Sequence, residues 1–125
     1  MISTKILEWN IKHGGSRERT PKILESVGQH DADIVVLTEF RTNHQDSLIN
    51  GFEAQGYSHF VSSNPEPKTS GILVASKLNL TPITSEYVNE GARQRWLEVE
   101  IVEKQLKLLC LHIPGAGDVW GKEAF

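Results

Sequence analysis

The sequence predicts a mixed α/β fold, and three features of the residue pattern support this. Apolar runs of strand length alternate with amphipathic segments through the first half of the chain. One of those runs, Ile34-Val35-Val36-Leu37, is continuous, as expected of a strand covered on both faces. The second half consists mostly of short apolar segments joined by turn residues, the pattern of antiparallel strands.

Taken in order, Lys5 to Asn10 reads as a first strand carrying Ile6, Leu7 and Trp9, and His13-Gly14-Gly15 breaks it. Thr20-Pro21 opens a helix, with Thr as the expected cap and Pro tolerated in the first turn, where its missing N–H costs nothing. Ile23, Leu24 and Val27 share one face of that helix. Asp33 to Glu39 is the second strand, and Asn43 to Gln55 a second helix with Leu48, Ile49 and Phe52 turned inward. Tyr57 to Val61, Gly71 to Ala75 and, more weakly, Thr81 to Val88 read as strands, with Asn64-Pro65-Glu66-Pro67 an exposed loop between the first two. Leu97, Val99 and Ile101 alternate with Glu98 and Glu100, which predicts a strand with one wet face. A turn at Glu103-Lys104 returns the chain as Leu106 to His112, and Asp118 is placed to cap a last helix. No repeat and no linker divides the chain, so residues 1–125 read as a single domain.

Composition bounds the function. At 125 residues, 38% hydrophobic and 23% charged, the chain matches a globular protein with one core. Lys and Arg number 13 against 16 Asp and Glu, a net charge of -3. No broad positive field draws it onto nucleic acid, so any such substrate is held by a few local cations. Cys110 is the single cysteine and sits in the apolar run Leu108-Leu109-Cys110-Leu111, where a buried small hydrophobe is expected rather than a nucleophile. Neither a signal peptide nor an apolar stretch long enough for a membrane span is evident, and a cytoplasmic location is expected.

Three polar residues end three apolar strands: Asn10, Glu39 and His112. Strand ends along one sheet edge are where sites form, because rigid backbone aims side chains into a crevice. Each residue also has a purely structural explanation. Asn10 suits the turn before Gly14-Gly15, Glu39 marks a return to solvent, and His112 is explained as a buried imidazole satisfied by backbone. Arg41 stands two residues past Glu39, either beside the site or paired in solvent with Asp46. Arg93 and Arg95 begin a strand from which they could reach the cleft, but surface placement is the expectation for both. His13, His30, His44 and His59 lack metal-ligand spacing and read as surface or structural.

The segments Ile6-Leu7-Glu8-Trp9-Asn10-Ile11, Asp33-Ile34-Val35-Val36-Leu37-Thr38-Glu39-Phe40-Arg41, Ser70-Gly71-Ile72-Leu73-Val74-Ala75-Ser76-Lys77 and Leu109-Cys110-Leu111-His112-Ile113-Pro114 occur in that order. As an ordered set they resemble the opening motifs of the endonuclease/exonuclease/phosphatase superfamily, which has the pancreatic-deoxyribonuclease-like fold. The resemblance spans the chain but only the N-terminal half of the family's domain. It implies a four-layer α/β/β/α sandwich and hydrolysis of a phosphate ester with Mg2+ or Mn2+. By the same resemblance Glu39 is the metal-binding carboxylate, Asn10 the first-strand amide at the phosphate, His112 a phosphate-binding or proton-donating imidazole, and Arg41 a phosphate clamp. Lys12 departs from the abasic-site repair branch, whose members carry Asp or Asn two residues after that amide.

The family's later Asp-x-Asn and its C-terminal Asp-His pair have no counterpart after His112. The resemblance therefore implies an active parent hydrolase, with this chain alone a truncated, inactive or nearly inactive domain. Expected substrates are nucleic acid, a phospholipid headgroup or a small phosphoester, and open sheet edges imply self-association. The rival from another class is a non-catalytic module that binds phosphate or a protein.

Overall fold

The computed structural model describes residues 3–12, 16–84 and 90–113. The Gly14-Gly15 break, His13, the end of the expected strand at Thr81 to Val88, and the helix at Asp118 lie outside the described residues.

The mixed α/β expectation holds. Strand β1 (Ile6–Asn10) is followed by helix α1 (Thr20–His30), β2 (Ile34–Phe40) and α2 (Gln45–Ala54). Five further strands follow: β3 (His59–Ser62), β4 (Gly71–Ser76), β5 (Leu80–Ile83), β6 (Trp96–Ile101) and β7 (Leu106–Leu111). They form a four-stranded sheet in the order β1-β2-β4-β3 and a three-stranded sheet in the order β5-β6-β7. Among the described residues β1 and β2 pair in parallel, which the crossover through α1 allows, and the other pairs are antiparallel.

Alternation along β2 divides the core. Val35 and Leu37, with Leu73 and Ala75 of β4, face Ile23 and Val27 of α1 and Leu48 and Phe52 of α2. Ile34 and Val36, with Ile72 and Val74, face Leu97, Val99, Ile101 and Cys110 of the second sheet. Burial on both faces explains the unbroken apolar run that the sequence displays. Three layers result among the described residues: helices, sheet, sheet.

Local differences from the sequence pattern have identifiable causes. Thr20 is the first helical residue rather than the cap; Arg19 takes the cap position, and the Thr20 hydroxyl donates to Ser16 O at 2.8 Å. The second helix begins later, after a 3-10 turn at Thr42–His44. Tyr57 precedes its strand because its ring serves the helix-side core, edge-on to Phe52, while its hydroxyl donates to Ala32 O at 2.7 Å. Pro65 is buried within the expected exposed loop.

A candidate active site on the rim of the two sheets

The parallel pair β1–β2 places Asn10 opposite Thr38, and Ile11 N donates to Thr38 O at 3.0 Å. One residue later β2 bulges. The β2–β4 register steps from Thr38↔Ile72 to Phe40↔Gly71, leaving Glu39 as the extra residue. Glu39 has φ +57°, the left-handed region. A non-glycine residue there costs about 1–2 kcal/mol.

The bulge has a packing cause. Strict alternation would aim Glu39 at the helix-side core beside Val35 and Leu37. Phe40 takes that position instead and is fully buried in the helix-side cluster. Glu39 is lifted to the rim, half-buried. Burying its carboxylate among helix-facing apolar groups would cost far more than the left-handed turn. Gly71, opposite Phe40, leaves no room for a side chain: a Cβ would lie 2.6 Å from Pro65 Cγ and 2.7 Å from Ser63 Oγ.

Ser63 ties the two sheets at this end. Its hydroxyl accepts from Ile72 N at 2.9 Å and donates to Gln94 O at 2.8 Å. The next residue, Arg95, accepts at its carbonyl from His112 N at 3.0 Å. A groove of about 360 Å3 runs between Ile6, Glu8, Val36 and Thr38 on one sheet and Leu108 to Leu111 on the other, so β7 lies under β1 and β2. Asn10, Glu39 and His112 therefore end their strands on one rim.

Residue parity adds to this. Leu106, Leu108 and Cys110 pack toward the other sheet, and His112 continues that set. His112 is half-buried, and its Nδ1 is shielded with no hydrogen-bond partner among the described residues. Arg95 continues the inward set of Leu97, Val99 and Ile101 and is 3% exposed. Surface placement thus holds for Arg93 and fails for Arg95. The signal was in the sequence, because the alternation of that strand extends backward to Arg95.

Asn10 is exposed, and its Oδ1 accepts from Lys12 N at 2.9 Å, so its oxygen closes the turn while its amide N–H groups remain to donate. Lys12 itself is left-handed, φ +49°. Arg19, which sequence reasoning passed over, braces this turn by donating to Ile11 O at 2.5 Å and Lys12 O at 2.9 Å. Arg41 follows β2 in extended backbone and is half-buried. Cys110 is buried, as expected, and burial, followed by the nearby Glu8 carboxylate, pushes its thiol up to about 11.

No group of three or more His, Cys, Asp or Glu side chains gathers at one point among the described residues. A magnesium ion needs less: it accepts one or two carboxylates and keeps several waters. Glu39 is a half-buried carboxylate of the kind such an ion accepts, and the Asn10 oxygen keeps one lone pair beyond its bond to Lys12 N.

A sequence profile of the family described as "Endonuclease/Exonuclease/phosphatase family" matches residues 7–109. Among curated proteins, none matches the chain by sequence. Several solved structures share its fold. An AP endonuclease from Archaeoglobus fulgidus superposes with TM-score 0.70 at 17% identity, over 90% of this chain and 42% of that one. An endonuclease/exonuclease/phosphatase from Beutenbergia cavernae gives TM-score 0.66 at 19% identity, over 92% of this chain and 39% of its own. The 3′ phosphatase NExo from Neisseria, bound to a product DNA hairpin, gives 0.66 at 14% identity, over 89% and 42%. The chain thus spans less than half the length of each, and at these identities the likeness is one of fold.

Proposed function

Because the chain belongs to the endonuclease/exonuclease/phosphatase family, we propose that it carries part of the site of a divalent-metal-dependent phosphoester hydrolase, nuclease-like or phosphodiesterase-like. The observation that carries this reading is Glu39, a carboxylate in left-handed backbone at a bulge on the rim shared with Asn10 and His112. Strained residues concentrate at functional sites, where the surrounding packing holds them.

In this reading Glu39 holds Mg2+ or Mn2+. The ion, when bound, polarises the phosphoryl oxygen and stabilises charge on the leaving oxygen. Asn10 donates its amide N–H to a phosphate oxygen, with the turn at Lys12 fixing the side chain. His112 hydrogen-bonds the phosphate or protonates the leaving group, and its shielded Nδ1, without a hydrogen-bond partner among the described residues, supports a role for an incoming ligand. Arg41 grips phosphate through a bidentate guanidinium.

The substrate class is nucleic acid, a phospholipid headgroup or a small phosphoester, held by local cations since the net charge is -3. Water activation needs further positioned groups, so the 125-residue chain by itself is inactive or nearly so, an incomplete single domain. No helix among the described residues is long and apolar enough to cross a membrane; a cytoplasmic location completes the reading. Alone, the chain dimerises or aggregates through open strand edges and exposed apolar sheet face, where Leu109, Leu111 and Ile113 are exposed by 49%, 38% and 69%.

The test is a Mg2+ and Mn2+ titration followed by thermal shift, with Glu39→Gln beside the native chain. Stabilisation that Glu39→Gln abolishes supports the reading; no shift with either ion favours a non-catalytic module that binds phosphate or protein. Metal-dependent hydrolysis by the chain alone would refute the expected inactivity, and a monodisperse monomer in light scattering would refute self-association.

A further inference from the structure

At the rim, one hydroxyl bonds toward both sheets. Ser63 and Ile72 continue the β3–β4 pairing one step past Ser62↔Leu73. In an antiparallel ladder a bonded pair exchanges both of its N–H···O=C bonds. Here only one is exchanged: Ser63 N donates to Ile72 O at 3.0 Å, whereas Ile72 N donates to the Ser63 side chain, Oγ, at 2.9 Å. The hydroxyl stands in for the carbonyl of its own residue. Its proton is then free to reach the other sheet, where it goes to Gln94 O at 2.8 Å. Gln94 lies in the 3-10 turn Glu90–Arg95 that leads into β6.

Both ends of this link adjoin residues of the candidate site. Ile72 pairs with Thr38, the last regular pair before β2 bulges at Glu39. Gly71, opposite Phe40, is packed so closely that a Cβ there would lie 2.7 Å from the same hydroxyl. On the second sheet, Gln94 precedes Arg95, whose carbonyl accepts from His112 N at 3.0 Å. A path of hydrogen bonds thus runs from the backbone behind the carboxylate to the backbone behind the imidazole, through Ser63 Oγ. A hydroxyl suits the junction because one oxygen both accepts and donates. Ile72 is fully buried, so its N–H has no water to turn to and giving up the bond costs its whole desolvation.

We propose that Ser63 is a positioning residue of the candidate site, its hydroxyl setting the separation between Glu39 on one sheet and His112 on the other. It touches neither cation nor phosphate and acts through the backbone of Ile72 and Gln94. The role rests on the proposed reading of Glu39 as a metal-binding carboxylate beside His112. A misplacement of about 1 Å between reacting groups can cost roughly a hundredfold in rate, so a fixed gap has catalytic value.

The test is NMR on the 125-residue chain with Mn2+ as probe, since its unpaired electrons relax nearby protons with a steep dependence on distance. In the native chain, Mn2+ at Glu39 should relax both the Asn10 side-chain amide and the His112 ring protons. In Ser63→Ala the effect on Asn10 should persist while that on His112 falls severalfold. Ser63→Thr, which keeps the hydroxyl, should restore it. An unchanged effect on His112 in Ser63→Ala overturns the proposal, as does an equal loss in Ser63→Thr. Loss at Asn10 together with His112 also overturns it, because Mn2+ itself has then been released. Should Ser63→Ala not fold, Ser63→Cys takes its place under the same outcomes, since a thiol keeps the shape but bonds weakly. No relaxation at either residue in the native chain refutes the metal reading of Glu39 instead. Residual dipolar couplings without metal then decide on Ser63: in Ser63→Ala the β4 amides should turn relative to those of β6 and β7, and an unchanged orientation overturns the link.

Discussion

Phe40 occupies the helix-facing position that strict alternation along β2 would give to Glu39, and the left-handed backbone at Glu39 makes the exchange possible. Core packing and site geometry are thereby coupled at adjacent residues. The apolar ring goes inward and the carboxylate goes to the rim.

If that coupling is right, Glu39→Gly should stabilise the chain by about 0.5–1 kcal/mol, since glycine adopts the left-handed region without a Cβ penalty. The same change should eliminate any Mg2+-dependent thermal shift. Glu39→Val should destabilise instead, because a β-branched residue fits that backbone poorly. Urea denaturation of the three proteins, with and without Mg2+, checks both halves of the expectation.

Phe40→Ala should cost about 3–5 kcal/mol, the loss of a fully buried aromatic and the cavity it leaves. Because the ring holds the bulge in register, exchange at Thr38 and Ile72 should accelerate as well. A loss under 1 kcal/mol would show that the bulge is not anchored by Phe40.

Arg19→Ala removes the guanidinium that donates to Ile11 O and Lys12 O. The expected loss is about 1–3 kcal/mol for hydrogen bonds from a charged group. The Lys12 amide, which donates to Asn10 Oδ1, should exchange faster. Arg19→Lys should restore little, since an ammonium cannot span two carbonyls with a planar fork.

The thiol of Cys110 ionises near 11 in the folded chain against an ordinary 9.0. Below pH 9 both folded and unfolded states hold the proton. Between 9 and 11 only the unfolded state releases it, so stability should fall as pH rises through that window, by on the order of 2 kcal/mol. Cys110→Ala should flatten the decline, as read from denaturation midpoints at pH 8, 9 and 10. Native Cys110 should also react with a thiol reagent at pH 8 only as fast as the chain opens.

At the far end of the sheet, Lys77 Nζ meets Asp31 Oδ1 at 2.7 Å and lies 5.2 Å from the centre of the Tyr57 ring. The hydrogen bond and charge of Lys77 lower the Asp31 carboxyl, and the hydrogen bond and charge of Asp31 in turn raise the Lys77 amine. Any contribution of this pair should therefore vanish as pH falls through the lowered Asp31 value, and as it rises through the raised Lys77 value. The Asp31 side chain is largely solvated, so Lys77→Met should leave the neutral-pH midpoint almost unchanged.

Local pattern was enough to determine the order of strands and helices, the doubly covered strand at Ile34 to Leu37, the wet face at Glu98 and Glu100, and the burial of Cys110. Each depends on periodicity along a single element, which sequence records directly. The ordered motifs were enough to determine the family. Tertiary structure alone decided that β2 bulges at Glu39 and that β7 runs beneath β1. Those outcomes depend on contacts between residues distant in the chain, above all the competition of Phe40 and Glu39 for one core position, and no local pattern encodes which of two neighbours a distant surface will accept.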